Sequence, residues 1–531
     1  MTNHAKGELV KAMRRSSFYP HHPDRVELIE THISWVFLAG ERVYKVKKPV
    51  VFPFLDYGTL ERRRELCHAE VRLNRRLAPS IYLGVCALVL TGGEWALSAE
   101  PDHPRAGEYA VEMRHFDREA TLERLLARGR VGVDQIRTLG RRLADFHRQA
   151  EPVEAPGDWP AHIARSLDEN FQTLLSFADR VVSVEELAGA ERFVSAFLVT
   201  RRAEFARRAV AGRVRDCHGD LRSEHVIFGE HGVEVFDCVE FSAALREIDV
   251  AADLAFLVMD LAAAEHDDLA RELVAAYRGA GGDPGDDRLL AFFAVYRAWV
   301  RAKVACLRAD ELDESDERRT AALEEVCGLA RLARRLAWRA RGPLVLVLCG
   351  GSASGKSHLA RHLGGAAGLS HLNSDVVRKQ LLGLEATERA PASAYTEEMN
   401  DRTYAELGRR ALRALSAGRP VLVDATFRLR RDREVFAAPF AGENHHQLFV
   451  ECRAPSAVLA ERGAAREGRS DRVSDATGEL IDRQEREFEP LDEVPAARHL
   501  AVRTDRPVAE VAADVEALLD ARLASPEVRS S

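Results

Sequence analysis

The run Leu344-Val345-Leu346-Val347-Leu348-Cys349, followed at once by Gly350-Gly351-Ser352-Ala353-Ser354-Gly355-Lys356-Ser357, constrains this chain more than any other feature. Consecutive apolar residues predict a strand buried on both faces, as in a parallel sheet. The glycines let backbone N–H groups wrap around phosphates, and the helix expected at His358–Leu363 adds the partial positive charge of its N-terminus. Lys356 is placed to reach the β- and γ-phosphates and Ser357 to ligate Mg²⁺, so the spacing predicts an ATP–Mg²⁺ site. From there to Leu523 strand and helix patterns alternate, which predicts a doubly wound α/β sheet. In such a sheet the strand ends face the ligand crevice. Asp375, in Asn373-Ser374-Asp375-Val376-Val377-Arg378, and Asp424, closing Val421-Leu422-Val423-Asp424, are therefore expected beside the loop. One carboxylate is needed to take the proton of an acceptor hydroxyl, the other to hold the metal or its water. Arg462 and Arg466 fall one turn apart on a helix expected over Ser456–Glu467, with Arg469 and Arg472 beyond. They suit a lid that neutralises charge on a transferring phosphoryl group.

With 531 residues, the chain is long enough for two or three domains. Gly342-Pro343 ends a long helical stretch, which places the expected boundary there: 1–341 and 342–531. A net charge of −8 argues against a nucleic-acid coat or a membrane-surface protein. No apolar stretch is long enough to cross a bilayer, and the eight cysteines are scattered without a C-x-x-C pair. They read as reduced thiols of a cytoplasmic protein. Of 76 basic residues only eight are lysines, and four of these are Lys45, Lys47, Lys48 and Lys356. In so arginine-rich a chain, these lysines mark positions where a compact point charge is needed, as at phosphate.

The N-terminal stretch reads as short strands (Val26–Ile29, Trp35–Leu38, Val43–Val46, Tyr82–Leu90, Trp95–Ser98, Tyr109–Met113) interrupted by a charged helix over Leu60–Leu77. Helical patterns then dominate to Arg341, broken by two strands at Val226–Phe228 and Val233–Phe236. Around those strands lie Cys217-His218-Gly219-Asp220-Leu221-Arg222-Ser223-Glu224-His225 and Val235-Phe236-Asp237. Two aspartates 17 residues apart across a strand–turn–strand match a kinase catalytic loop and its metal-binding Asp. Asp220 would accept the hydroxyl proton and Asp237 would bind Mg²⁺. Lys45 and Lys47 project to one face of their strand, so either suits the ATP phosphates; Lys45 is the choice here. Glu70 is the expected carboxylate partner, with Glu65 the alternative.

These motifs carry two resemblances. Residues 344–520 resemble the polynucleotide-kinase-like and gluconate-kinase-like P-loop kinases, which implies Asp375 as general base and Arg378 as acceptor clamp. His-Gly-Asp, Arg246-Glu247-Ile248-Asp249 and Asp253-Leu254-Ala255 resemble aminoglycoside phosphotransferase-like kinases, which implies an α+β protein-kinase-like N-terminal domain. That family carries Asn where this chain has His225; a nitrogen at that metal position is a poorer ligand for Mg²⁺ than the Asn oxygen, which implies that the N-terminal domain is a second kinase or a weak, degenerate one. The resemblance also implies that Asp249 braces the catalytic loop. Over nearly the full length, with Glu30-Thr31-His32-Ile33-Ser34-Trp35 and Phe54-Leu55-Asp56, the chain resembles two-domain bacterial proteins described as bifunctional aminoglycoside phosphotransferase/ATP-binding proteins. The expected activity is transfer of the ATP γ-phosphoryl group to an unidentified hydroxyl acceptor. A second reading makes the N-terminal domain a ligand sensor that controls the C-terminal one. A third, phosphorylation of nucleic-acid ends, is disfavoured by the acidic balance and the lack of aromatic-plus-basic runs.

Overall fold

A computed structural model describes residues 3–52, 55–98, 100–154, 157–388, 390–441, 446–467 and 486–523. The chain forms two compact units: Met1–Trp159 with Ala206–Gly285, and Pro160–Phe205 with Asp286–Ser531.

The first unit carries an antiparallel six-stranded sheet. Its strands are β1 (Val26–Glu30), β2 (Ser34–Ala39), β3 (Arg42–Lys47), β4 (Tyr82–Thr91), β5 (Glu94–Ser98) and β6 (Ala106–Arg114), in the spatial order β1-β2-β3-β6-β4-β5. Each expected strand is present, extended by one to three residues at an end. Helix α1 (Leu60–Asn74) starts where Thr59 accepts a hydrogen bond from the Arg62 N–H. Its Cys67 and Val71 pack against Val43, Val111 and Met113 of the sheet. The hairpin β7 (Val226–Gly229) and β8 (Gly232–Val235) lies between the loops that carry Asp220 and Asp237, and the buried helix α2 (Val250–Ala263) follows.

The second unit is built on a parallel sheet. Its strands are β9 (Leu344–Cys349), β10 (Ser370–Asn373), β11 (Val421–Asp424), β12 (His446–Arg453) and β13 (His499–Arg503), ordered β10-β11-β9-β12-β13. All six residues of β9 are buried, as expected for a central strand covered on both faces. The unit also takes in helices from before the boundary expected at residue 342. Trp338, near the end of the helix Glu317–Arg341, packs with Leu344, Leu359, Leu363 and Leu519. Its indole N–H donates to Glu516 (2.9 Å), and Arg341 donates twice to Asp520 (2.8 and 2.9 Å). Phe197 stacks on Phe292, so the segment 160–205 joins the same unit. Gly342 does end the helix, with φ at +100°, but packing groups the preceding helix with the α/β sheet that follows it.

Candidate active sites

In the second unit, the loop after β9 turns through three left-handed residues: Gly350 (φ +135°), Ala353 (φ +65°) and Gly355 (φ +88°). A Cβ on Gly350 would lie 2.5 Å from the Cys452 carbonyl oxygen, whereas Gly351 has no atom within 4 Å of such a position. The loop is thus closed on the sheet side and open on the other. Helix α3 (Lys356–Ala367) follows, with its N-terminus on the open cradle. Lys356 donates from Nζ to the Gly351 carbonyl (3.0 Å), across the mouth of the loop.

Helix α4 (Ser374–Leu381) begins with Asn373 as its cap. The Asn373 amide oxygen accepts from the N–H groups of Asp375 (2.9 Å) and Val376 (3.1 Å), while its amide nitrogen donates to Asp424 Oδ2 (2.9 Å). One side chain therefore ties the helix bearing Asp375 to the end of β11 bearing Asp424. Asp424 is 1% exposed, and its Oδ1 has no hydrogen-bond partner among the described residues.

The two carboxylates are tuned apart. Burial pushes Asp375 above its ordinary value, only partly opposed by the nearby Arg378 guanidinium and Lys356 ammonium. Burial would raise Asp424 too, but the adjacent His371 ring, Lys356 and the Ser357 hydroxyl hold it below the usual carboxylate range. A pair split in this way suits one proton acceptor and one permanent anion. Arg378 donates to Asp375 Oδ1 (3.1 Å) and Asn400 Oδ1 (3.0 Å) and lies over the Tyr395 ring. Arg462 lies beside the loop, donating to the Thr504 carbonyl (2.6 Å), while Thr504 in turn donates to the Ser354 carbonyl (2.6 Å). The Arg466 side chain, Arg469 and Arg472 lie outside the described residues, as does Phe54. His371, whose Nε2 lies 3.4 Å from Asp424 Oδ2, belongs to no motif; its position on the strand adjoining β11 is the signal the sequence offers for it.

In the first unit, Lys45 Nζ lies 2.9 Å from Glu70 Oε1 and 3.0 Å from Asp237 Oδ1. Burial would lower this ammonium, but the Asp237 and Glu70 carboxylates outweigh it and hold its pKa well above the ordinary value. Lys47 reaches Glu70 Oε2 (2.6 Å) from the same strand face, and is held by Glu240 and the Tyr57 hydroxyl. Lys47 is 1% exposed and fully engaged, so Lys45 is the lysine at the accessible carboxylate, Asp237. Glu65 instead faces outward beside Arg62.

Asp237 has φ +61°, a conformation a non-glycine residue holds only where its surroundings impose it. Asp220 pairs with Arg222 (3.2 Å), and its carbonyl accepts from His225 Nδ1 (2.9 Å). The loop is braced by Asp253, which accepts from the N–H groups of His218 (3.1 Å) and Gly219 (2.8 Å) and from His147. This corrects the expectation for Asp249, which instead caps α2 and pairs twice with Arg208 (2.8 and 2.7 Å). Both aspartates are within one turn of each other on the sequence, and only the backbone path decides which meets the loop. Burial lowers the His218 imidazole to about 4, so it is neutral.

Ser357 and Asp424, and separately Asp237, offer oxygen donors suited to Mg²⁺. The orphaned Asp424 Oδ1 and the open cradle at Gly351 fit a metal–nucleotide in the second unit.

Among the described residues no helix is long and apolar enough to cross a membrane. The family model AAA_33, an AAA domain, matches residues 345–491. The chain is 32% identical over 464 residues to "Uncharacterized protein Rv2004c" of Mycobacterium tuberculosis (strain H37Rv), covering 86% of this chain and 88% of that one. "Uncharacterized protein Mb2027c" of Mycobacterium bovis matches to the same extent. Among solved structures, a gluconokinase from Sinorhizobium meliloti 1021 aligns with 36% of this chain and 98% of its own, at 27% identity and a TM-score of 0.27. A choline/ethanolamine kinase family protein from Mesorhizobium loti aligns with 61% of this chain and 94% of its own, at 14% identity and a TM-score of 0.36.

Proposed function

The chain belongs to the same family as Rv2004c of Mycobacterium tuberculosis, and from that premise we propose that its C-terminal unit is an ATP-dependent kinase that phosphorylates a hydroxyl of a small molecule or nucleotide. The observation that carries this reading is the pair Asp375 and Asp424, tied together by Asn373 beside a P-loop and shifted in opposite directions. The loop N–H groups and Lys356 bind the β- and γ-phosphates. Ser357 and Asp424 would hold Mg²⁺, which would supply neutralisation of the phosphate charge. Asp375, kept from early ionisation by burial, takes the acceptor hydroxyl proton. Arg378 positions the acceptor from its seat between Asp375 and Asn400, and Arg462 and Arg466 serve as the lid. In the N-terminal unit, Lys45, Glu70, Asp220 and Asp237 make a second kinase-type nucleotide centre, supported by the Lys45 bridge to both carboxylates. A cytoplasmic location is supported by all eight cysteines being free thiols.

The test is transfer from labelled ATP to a panel of polyols, sugar acids, nucleosides and oligonucleotides by the full chain. Transfer to at least one acceptor, abolished by Lys356→Ala in a protein that melts normally, is the expected result. Transfer unchanged by Lys356→Ala would defeat the assignment.

A further inference from the structure

The N-terminal loop holds one histidine in an arrangement that phosphoryl transfer alone does not require. His225 is 7% exposed. Its Nδ1 lies 2.9 Å from the Asp220 carbonyl oxygen. A carbonyl only accepts, so Nδ1 carries the proton and the ring is held with Nε2 as its outward-facing atom. That nitrogen lies 3.7 Å from Asp237 Oδ2 and 4.0 Å from Glu224 Oε1. The other Asp237 oxygen, Oδ1, is engaged by Lys45 at 3.0 Å. The two Asp237 oxygens thus face different neighbours, Oδ1 the Lys45 ammonium and Oδ2 the His225 Nε2. Two ligand bonds of about 2.1 Å each span up to roughly 4.2 Å, so a single cation reaches both Nε2 and Oδ2. Metal-binding histidines almost always donate the other ring N–H to a carbonyl or carboxylate, which fixes the ring and its tautomer. The Asp220 carbonyl does this for His225 without any ion.

We propose that the N-terminal unit binds a divalent first-row transition cation through His225 Nε2 and Asp237 Oδ2, with nucleotide phosphate oxygens completing the shell. The inference rests on the reading of this unit as a nucleotide centre. Mg²⁺ takes oxygen ligands in a tight octahedron, whereas an imidazole in the set suits first-row transition cations, with affinity rising from Mn²⁺, which also accepts oxygen donors, through Fe²⁺ to Ni²⁺. One enzyme would then use different cations at its two nucleotide sites.

The experiment uses the full chain carrying Lys356→Ala, so that nucleotide at the P-loop is suppressed, with Mn²⁺ and a non-hydrolysable ATP analogue. Calorimetry reads analogue binding, and pulsed electron paramagnetic resonance reads nitrogen coupled directly to Mn²⁺. The expected result is a coordinated imidazole nitrogen that disappears with His225→Asn and survives His371→Asn, the control for the other site. Mn²⁺ should also support analogue binding at least about tenfold better than Mg²⁺, a preference lost in His225→Asn. Histidine labelled with heavy nitrogen changes the coupling without altering the fold, which covers the case in which His225→Asn disturbs the loop. Analogue bound with Mn²⁺ but no histidine nitrogen coupled, or coupling that survives His225→Asn, would overturn the metal inference alone. No analogue binding in the Lys356→Ala chain would overturn the N-terminal nucleotide centre and this inference with it.

Discussion

Gly350→Ala and Gly351→Ala are the same chemical change at adjacent positions, and the structure requires them to differ. At Gly350 the new methyl group would stand 2.5 Å from the Cys452 carbonyl and 2.9 Å from Ser354 Oγ, on a backbone with φ +135°. A non-glycine residue in such a conformation costs about 1–3 kcal/mol, and forcing a methyl group against fixed backbone costs about 1–3 kcal/mol more. The sum is roughly 2–6 kcal/mol, charged to the unit that contains the loop. At Gly351 no atom lies within 4 Å, so the unliganded fold should change by no more than about 0.5 kcal/mol. The assay is calorimetry of the full chain, following the transition that ATP–Mg²⁺ shifts upward. At about 2–4 °C per kcal/mol, Gly350→Ala should lower that transition by roughly 5–20 °C and erase its response to nucleotide, since the cradle cannot close. Gly351→Ala should leave the unliganded transition within about 2 °C. Equal losses at the two positions, or a full nucleotide response in Gly350→Ala, would refute the account of the loop as closed on one side and open on the other.

Asp375→Asn should lower kcat by about 10²–10⁴-fold while leaving ATP affinity nearly unchanged, and Asp424→Ala should instead weaken metal-dependent nucleotide binding. Because burial raises the Asp375 carboxyl, its ionised form costs stability: the penalty is absent below the ordinary value and complete above the raised one. The stability of Asp375→Asn relative to wild type should therefore grow as pH rises from about 4, and wild-type turnover should fall as pH drops through the raised value; a pH series of melts and rates reads both. Arg341→Met should cost about 3–5 kcal/mol by stranding Asp520, and the double variant Arg341→Met/Asp520→Leu should recover most of it. Single-variant melts indistinguishable from wild type would remove the helix Glu317–Arg341 from the P-loop unit.

Much of the C-terminal site was legible because its chemistry is local in the chain. A strand, a loop and a helix lie in unbroken succession from Leu344 to Ala367, and Asp375 and Asp424 each sit where a strand ends. Lys45 and Glu70 were legible for a similar reason, a strand facing the helix that follows it. What escaped depends on which distant segments meet. Lys47 is as prominent in the sequence as Lys45, and only its burial against Glu240, 193 residues away, separates their roles. Asp249 and Asp253 are equivalent by pattern, and the contact with His218 and Gly219 decides between them. His371 carries no motif, and reaches Asp424 only through strand pairing. The expected boundary at Gly342 followed the covalent signal of a helix end, whereas the apolar face of the preceding helix answers to the sheet that follows it.

The interleaving of the two units has a consequence for how the protein is made. Residues 160–205 leave the ribosome before the last segment of the first unit, Ala206–Gly285, yet their partners begin only at Asp286. At about 5–20 residues per second, that segment waits several seconds with its phenylalanines uncovered. Its exposure during synthesis makes it a natural client for holding chaperones. Nor does any single cut yield both units whole: a gene break at codon 342 removes from the P-loop unit the helix that covers Leu359 and Leu363. Expression trials that split the chain at that junction should therefore fail, because the P-loop unit is left without the helix Glu317–Arg341.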